Sequence, residues 1–316
     1  MFMTNNTVQF QNTLARPVEI SGIGVHSGRY VEMTIHPAPA YHGIIFHRTD
    51  VIDSNYIIPA TVDHAVPHPL CTRIENCDGV GVNTIEHFMA AFHGMGIDNL
   101  LIEVDGPEMP ILDGSSTLII DLLFQAGLQE QSEAKQVFVM VGDVEIDLGN
   151  GRHARLSPHD QLELDVSIDF EDRLIGKQSL RYSHNKGTFK SKLADARTFC
   201  MLKDVETMRT NGLARGGSLD NAIVVHEGAV LNDDGLRSDD EFVRHKALDC
   251  LGDLYLLGMS IRAKLTISCP GHALSTELLH AVIAQPNSFV IENKAKARHS
   301  RAGTWTYPEM AVAAHS

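Results

Sequence analysis

From residue 241 to residue 257 apolar side chains recur at helical spacing, with Phe242, Val243, Ala247, Leu248, Leu251, Leu254 and Tyr255 forming one stripe. A stripe of that kind buries one side of a helix against a core. Helical patterns also run over 85–93, 117–126 and 203–210, whereas short β-rich runs at 30–35, 100–104, 137–141, 162–170 and 263–267 predict strands. The segment 129–135 breaks the pattern: it holds six polar or charged residues and one Ala, and reads as a linker. Strands precede helices on both sides of it, the order of an α+β fold. The 316 residues exceed the size at which one core keeps growing, roughly 250 to 300 residues. The expected division is a first α+β domain over 1–128, a linker over 129–136, a second α+β domain over 137–290 and a tail over 291–316.

Chemistry enters through the polar residues beside the apolar stripe. His245 and Asp249 fall four residues apart, so on a helix they project from one face. Upstream, Asn83-Thr84-Ile85-Glu86-His87 opens another helix with a carboxylate beside an imidazole. Together the two segments supply His87, His245 and Asp249, the parts list of a catalytic zinc centre with an open position for water, with Glu86 left over. Each piece has a plainer reading. A His-Asp pair at this spacing is common on solvated helix faces, and Asn83 followed three residues later by Glu86 resembles a capping box. Asp253 continues the row one turn on, but each step of four drifts about 40° around the axis, so it is better placed to support a neighbour than to join the same ion. His272 follows Pro270 and Gly271 in a tight connection after a strand, where polar residues more often work than pack.

Composition narrows the class of partner. The formal charge of −14, without a block of Lys or Arg, argues against nucleic acid and against anionic membrane surfaces. Hydrophobic content of 43% suffices for a well-filled interior, yet no run is long enough to insert stably in a bilayer. The N-terminus lacks the basic and apolar segments of a leader, and five cysteines without a CxxC pair read as reduced thiols, so a cytoplasmic location is expected. The chain is expected to be a monomer.

Ordered segments along roughly 270 residues carry a resemblance. They are Gly22-Ile23-Gly24-Val25-His26-Ser27-Gly28, Thr84-Ile85-Glu86-His87, Gly96-Ile97-Asp98-Asn99, Pro110-Ile111-Leu112-Asp113-Gly114-Ser115, Ala196-Arg197-Thr198-Phe199, the 240–253 helix and Gly271-His272-Ala273-Leu274. In these the chain resembles the UDP-3-O-acyl-N-acetylglucosamine deacetylases of lipid A and lipopolysaccharide synthesis in Gram-negative bacteria. The resemblance implies two similar α+β domains packed helix layer to helix layer, with the active site at their interface. It implies Zn²⁺ held by His87, His245 and Asp249, although Fe²⁺ or Co²⁺ would suit the same donors. It makes Glu86 the general base, His272 the acid held by Asp253, and Thr198 the oxyanion donor.

For substrate it implies UDP-3-O-acyl-N-acetylglucosamine, with Lys246 and Arg152 near the diphosphate, Asp169 and Phe170 at the uridine, and Phe199 over the ribose and sugar. Arg152 stands where relatives carry lysine. The acyl chain is expected along the insert 201–225, which includes Val205, Met208, Leu213, Ile223 and Val224, and in which Leu219 replaces a familiar phenylalanine. A relative that merely bound the sugar nucleotide should have lost at least one of Glu86, His87, His245, Asp249 or His272, and all five are present.

Overall fold

The computed structural model describes residues 9–68, 70–185 and 187–293. Among them are six α-helices: α1 Glu86–Met95, α2 Thr117–Ala126, α3 Thr188–Lys192, α4 Leu202–Thr210, α5 Glu241–Leu254 and α6 His272–Ile283. The chain is therefore mixed α and β. The helix expected over 241–257 is α5 followed by the 3₁₀ turn Tyr255–Leu257, and the helices expected at 85–93, 117–126 and 203–210 are α1, α2 and α4.

Two five-stranded sheets dominate. In the first the strands lie side by side in the order Val18–Ile23, Tyr30–Pro37, Leu100–Val104, Ile44–Arg48, Ile57–Pro59; in the second the order is Val144–Asp147, His153–Ser157, Lys264–Ser268, Glu163–Asp169, Lys177–Ser183. The sheets match in strand sense as well as in order. Each has one parallel pair, Leu100–Val104 with Ile44–Arg48 and Lys264–Ser268 with Glu163–Asp169, and its other pairings are antiparallel. The helices repeat too: α1 precedes and α2 follows the central strand of the first sheet, as α5 and α6 do in the second. This repetition is invisible to local pattern, because it lives in pairings between strands far apart in sequence.

Two expectations, one for a strand and one for a linker, change meaning. The run 137–141 does form a strand, Gln136–Met140, but it sits between Ser260–Arg262 and Phe289–Asn293 in a separate sheet. The polar run 129–135 is extended and paired: Leu128–Ala134 lies antiparallel to Phe10–Leu14. It shows no apolar alternation because only Ala134 of that strand is buried, the partner strand supplying buried Gln11, Asn12, Thr13 and Leu14. Backbone pairing and the Asn99 amide, 2.8 Å from Gln131 Oε1, hold it instead. Of the tail over 291–316, the structure describes only the end of strand Phe289–Asn293; the rest lies outside the described residues.

Helix α1 is buried from Glu86 to Gly94, as expected of a helix covered on all sides. It packs directly on α5. At the crossing a Cβ on Gly252 would stand 2.1 Å from the carbonyl oxygen of Glu86 and 3.0 Å from the amide nitrogen of Ala90, so only glycine permits the approach. Farther along, His93 stacks on Tyr255 with ring centroids 4.4 Å apart, its Nδ1 3.1 Å from Leu251 O. The Tyr255 hydroxyl donates to Ile97 O at 2.5 Å. Burial takes His93 down to about 3, which makes it a neutral core residue. The five cysteines are free thiols. Among the described residues no helix is long and apolar enough to cross a membrane.

Candidate active site

The close crossing of α1 and α5 brings the first turn of one helix against the middle of the other. His87 is the second residue of α1, while His245 and Asp249 stand one turn apart on α5. Asp249 Oδ1 lies 3.6 Å from His87 Nε2 and 3.3 Å from His245 Nε2, and the two rings meet edge to face at 5.0 Å. Donors about 2.0 to 2.1 Å from a tetrahedral zinc ion are separated from one another by roughly 3.3 to 3.4 Å. The three candidate donor atoms lie within 4.8 Å of each other, and all three residues are buried.

Their surroundings fit a cation. Asp249 Oδ1 is buried without a hydrogen-bond partner, an arrangement that costs about 1 to 3 kcal/mol, and more for a charged group, unless something else compensates it. The His245 Nδ1 faces Ala196 O at 3.0 Å, so this nitrogen donates and Nε2 keeps its lone pair toward Asp249. Burial brings His245 to about 3, leaving the ring neutral. Burial acts to raise the Asp249 carboxyl, but its interactions with the adjoining His245 ring and with the Lys246 ammonium outweigh it and hold the group well below the usual carboxylate range. Lys246 Nζ donates to Asp249 Oδ2 at 2.8 Å, so here the ammonium is engaged with the donor set rather than freely solvated.

Beside this set lies a second polar group. Glu86, the first residue of α1, accepts the Thr72 amide on Oε2 at 3.0 Å and points Oε1 toward His272 Nε2 at 3.6 Å. It caps nothing at Asn83, whose side-chain oxygen accepts from Arg73 at 2.7 Å. Burial pushes Glu86 up from the ordinary carboxylate range, with His272 and His87 pulling the other way. His272 begins α6, and its Nδ1 stands 3.3 Å from both oxygens of Asp253, one turn past Asp249 on α5. Burial opposes charge on the ring, yet Asp253 and then Glu86 together raise it to about 9. Glu86, Asp253 and His272 thus meet in one group.

Thr72 was not foreseen from sequence. Its backbone holds Glu86, and its hydroxyl lies 2.5 Å from Asp253 Oδ1 and 2.9 Å from His272 Nδ1. Nothing in the local pattern around Thr72 marks it, since it precedes a three-residue strand, Arg73–Glu75, and contacts groups 181 and 200 positions away.

The remaining candidates form the margin. Thr198 is anchored through its backbone, its N–H donating to Gly114 O and its C=O accepting from Ile223, both at 2.8 Å. Gly114 has a positive φ of 81° and no room for a Cβ, which would meet Asn221 O at 2.2 Å, so the 110–115 segment needs glycine there. Arg197 is fixed by Glu241 at 2.9 Å and Asp234 at 2.8 Å, which secures the chain that carries the Ala196 carbonyl to His245. Phe199 links the centre to its rim: its ring lies 6.3 Å from that of His245 and 5.5 Å from that of Phe170, with Lys246 Nζ 5.5 Å from its centroid.

Arg152 and the pair Asp169 and Phe170 lie at one end of the second sheet. Ser268 pairs with His153 on one side and Ser167 on the other, so these residues flank the 269–272 connection that leads to His272. Asp169 pairs with exposed Lys177 at 3.2 Å. Leu219 is exposed. The 22–28 segment is held by Glu108, which accepts from the amides of His26 and Ser27 at 2.8 and 2.7 Å.

A mixed α/β chain with three buried residues that could hold a cation, flanked by a carboxylate and an imidazole, has the make-up of a metal-assisted hydrolase centre. The sequence model of the LpxC family, UDP-3-O-acyl N-acetylglycosamine deacetylase, matches residues 11–284, and the chain belongs to that family. It is 44% identical over 281 residues to the UDP-3-O-acyl-N-acetylglucosamine deacetylase of Idiomarina loihiensis, covering 88% of this chain and 91% of that one. The protein of the same name from Myxococcus xanthus is 44% identical, covering 89% and 88%. That from Pasteurella multocida is 42% identical, covering 88% and 92%.

Proposed function

We propose that this protein hydrolyses the N-acetyl group of UDP-3-O-acyl-N-acetylglucosamine, releasing acetate and UDP-3-O-acyl-glucosamine for lipid A synthesis, as a cytoplasmic monomer. The observation that carries the reading is the convergence of His87, His245 and Asp249 beside Glu86 and His272, with Asp249 Oδ1 otherwise unpartnered. Domains over 1–128 and 137–290, joined by 129–136 and meeting through their helices, accommodate this convergence; the matching strand orders support that division.

His87, His245 and Asp249 would hold the ion, Zn²⁺ being the best match to a two-imidazole, one-carboxylate set. When bound, it supplies Lewis acidity, lowering the pKa of water toward about 7 and polarising a carbonyl. Glu86 Oε1 takes the proton from the attacking water as its oxygen bonds the acetyl carbon. The Thr198 hydroxyl donates to the oxyanion that develops on the acetyl oxygen. His272 Nε2 gives its proton to the glucosamine nitrogen as the carbon–nitrogen bond breaks, because an amide anion is too basic to leave unaided. Asp253 keeps that ring charged.

Lys246 and Arg152 neutralise the diphosphate, Asp169 and Phe170 receive the uracil, and Phe199 covers the ribose and sugar. The acyl chain follows the 201–225 insert. Helix α4 buries none of its residues, and an open concavity there is lined by Leu202, Val205, Glu206, Arg209 and Thr210, with Leu219 exposed nearby in sequence. An apolar chain laid along that helix covers surface the fold leaves wet.

The test is acetate release from UDP-3-O-acyl-N-acetylglucosamine by the zinc-loaded protein. Equal amounts of acetate and free-amine product are expected; failure to release acetate from a bound substrate would overturn the assignment. The pH profile of kcat/KM supplies a separate check. Glu86 acts ionised, so the rate rises as it deprotonates, above the ordinary carboxylate range because burial raises it. His272 acts protonated, and its value of about 9 places the falling limb there. In His272→Ala that basic limb should disappear; an unshifted limb would assign it elsewhere.

A further inference from the structure

We infer that Thr72 is a positioning residue which fixes the proton on His272 Nδ1, and so reserves Nε2 for the proton that is transferred. The inference deepens the reading of the site given above and rests on it. Thr72 is 3% exposed and lies between the acid and base groups. A threonine hydroxyl has one proton to donate and lone pairs to accept with. Its Oγ1 is 2.5 Å from Asp253 Oδ1, an acceptor when ionised, so the hydroxyl proton goes to that carboxylate. The lone pairs then face His272 Nδ1 at 2.9 Å, and a pair of acceptors cannot bond without a proton on the nitrogen. The chain of donation runs from His272 Nδ1–H to the Thr72 hydroxyl to Asp253.

The distances say which contact does most of this. Nδ1 is 3.3 Å from each Asp253 oxygen, beyond the usual range for a nitrogen–oxygen hydrogen bond, whereas the hydroxyl at 2.9 Å is within it. Asp253 supplies the charge, and Thr72 supplies the short directional contact that sets the ring's tautomer and tilt. With Nδ1 committed, the only nitrogen able to exchange a proton is Nε2, which faces Glu86 Oε1 at 3.6 Å. The Thr72 amide meanwhile holds the other oxygen of Glu86 at 3.0 Å. One residue therefore registers acid against base, by its side chain on one and its backbone on the other.

That division allows a clean test, because a side-chain substitution leaves the amide contact to Glu86 in place. Thr72→Val keeps the shape and removes the hydroxyl, while Thr72→Ser keeps the hydroxyl and removes the methyl. In zinc-loaded protein, Thr72→Val is expected to lower kcat about 10- to 100-fold, the usual cost of removing a group that orients a working imidazole, with KM within about twofold. Thr72→Ser should restore most of kcat.

A second readout needs no turnover: ¹⁵N shifts of the His272 ring at a pH above its titration. Protonation on Nδ1 alone is expected in the parent and a mixture of tautomers in Thr72→Val. Parental kcat and an unmixed ring in Thr72→Val would overturn the inference, as would equal losses in the Val and Ser variants. Absence of acetate release by the parent would instead overturn the deacetylase reading, and the ring shifts would still judge Thr72.

Discussion

Asp249→Ala is expected to lose its metal and its activity while remaining folded. Asp249 is the only carboxylate of the donor set, and its Oδ1 is the atom both imidazoles face. Without it only the two imidazoles remain, and the carboxylate charge that would hold the ion is gone. The Lewis acidity forfeited is worth several kcal/mol in transition-state stabilisation, so turnover should fall by at least about 10³-fold at roughly 1.4 kcal/mol per factor of ten. The fold should survive because the ion crosslinks no missing core: α1 and α5 are already joined by the Gly252 crossing and the His93–Tyr255 stack. Lys246 loses its partner, but its side chain is 20% exposed and its head can move toward water. Circular dichroism should match the parent, and metal analysis should find the variant empty. Full occupancy with parental turnover would remove Asp249 from the donor set.

Glu86→Ala and His272→Ala should keep the metal and lose kcat, each by about 10²- to 10⁴-fold, the range for a positioned proton-transfer group. Neither touches the donor set directly: Glu86 bonds Thr72 and faces His272, and His272 rests on Asp253 and Thr72. Because in the proposed mechanism both act on one tetrahedral intermediate, Glu86 on its water oxygen and His272 on its leaving nitrogen, the double variant should lose less than the product of the single losses. A metal-loaded Glu86→Ala protein with near-parental kcat would reduce that carboxylate to a buried acceptor for the Thr72 amide. Losses that multiply in the double variant would separate the two residues into independent steps.

The legible parts of this centre were those written in one stretch of sequence. His245, Asp249 and Asp253 declare themselves through helical spacing on α5, and drift around the axis turns Asp253 away from the other two, toward His272. The apolar stripe gave the helix, but it did not show that the polar row is itself buried: His245, Asp249 and Asp253 are all at most 4% exposed. A helix reads as half-wet from sequence when its polar face is covered by another element, here α1 and α6. Glu86 illustrates the limit of local rules, since the capping-box pattern is present and the structure uses the side chain for something else.

What sequence did not carry was long-range pairing. The polar run 129–135 looks like a linker because its apolar surface is nearly nil, yet its backbone finds a partner strand at residues 10–14. What the twin five-stranded sheets share is strand order, strand sense and the placing of the helices around the central strand, all of it set by pairings between distant segments. Thr72 joins Glu86, Asp253 and His272 from a segment with no pattern of its own, and its place follows from where the fold deposits it.

The central claim is that one divalent cation, held by His87, His245 and Asp249, makes Glu86 and His272 effective on the acetamide. Its most direct measurement is acetate release as zinc is returned to chelated protein. Activity should rise in proportion to added zinc and level off at one ion per chain, with no rise in Asp249→Ala over the same range. Undiminished acetate release from protein shown to be free of metal would contradict the account.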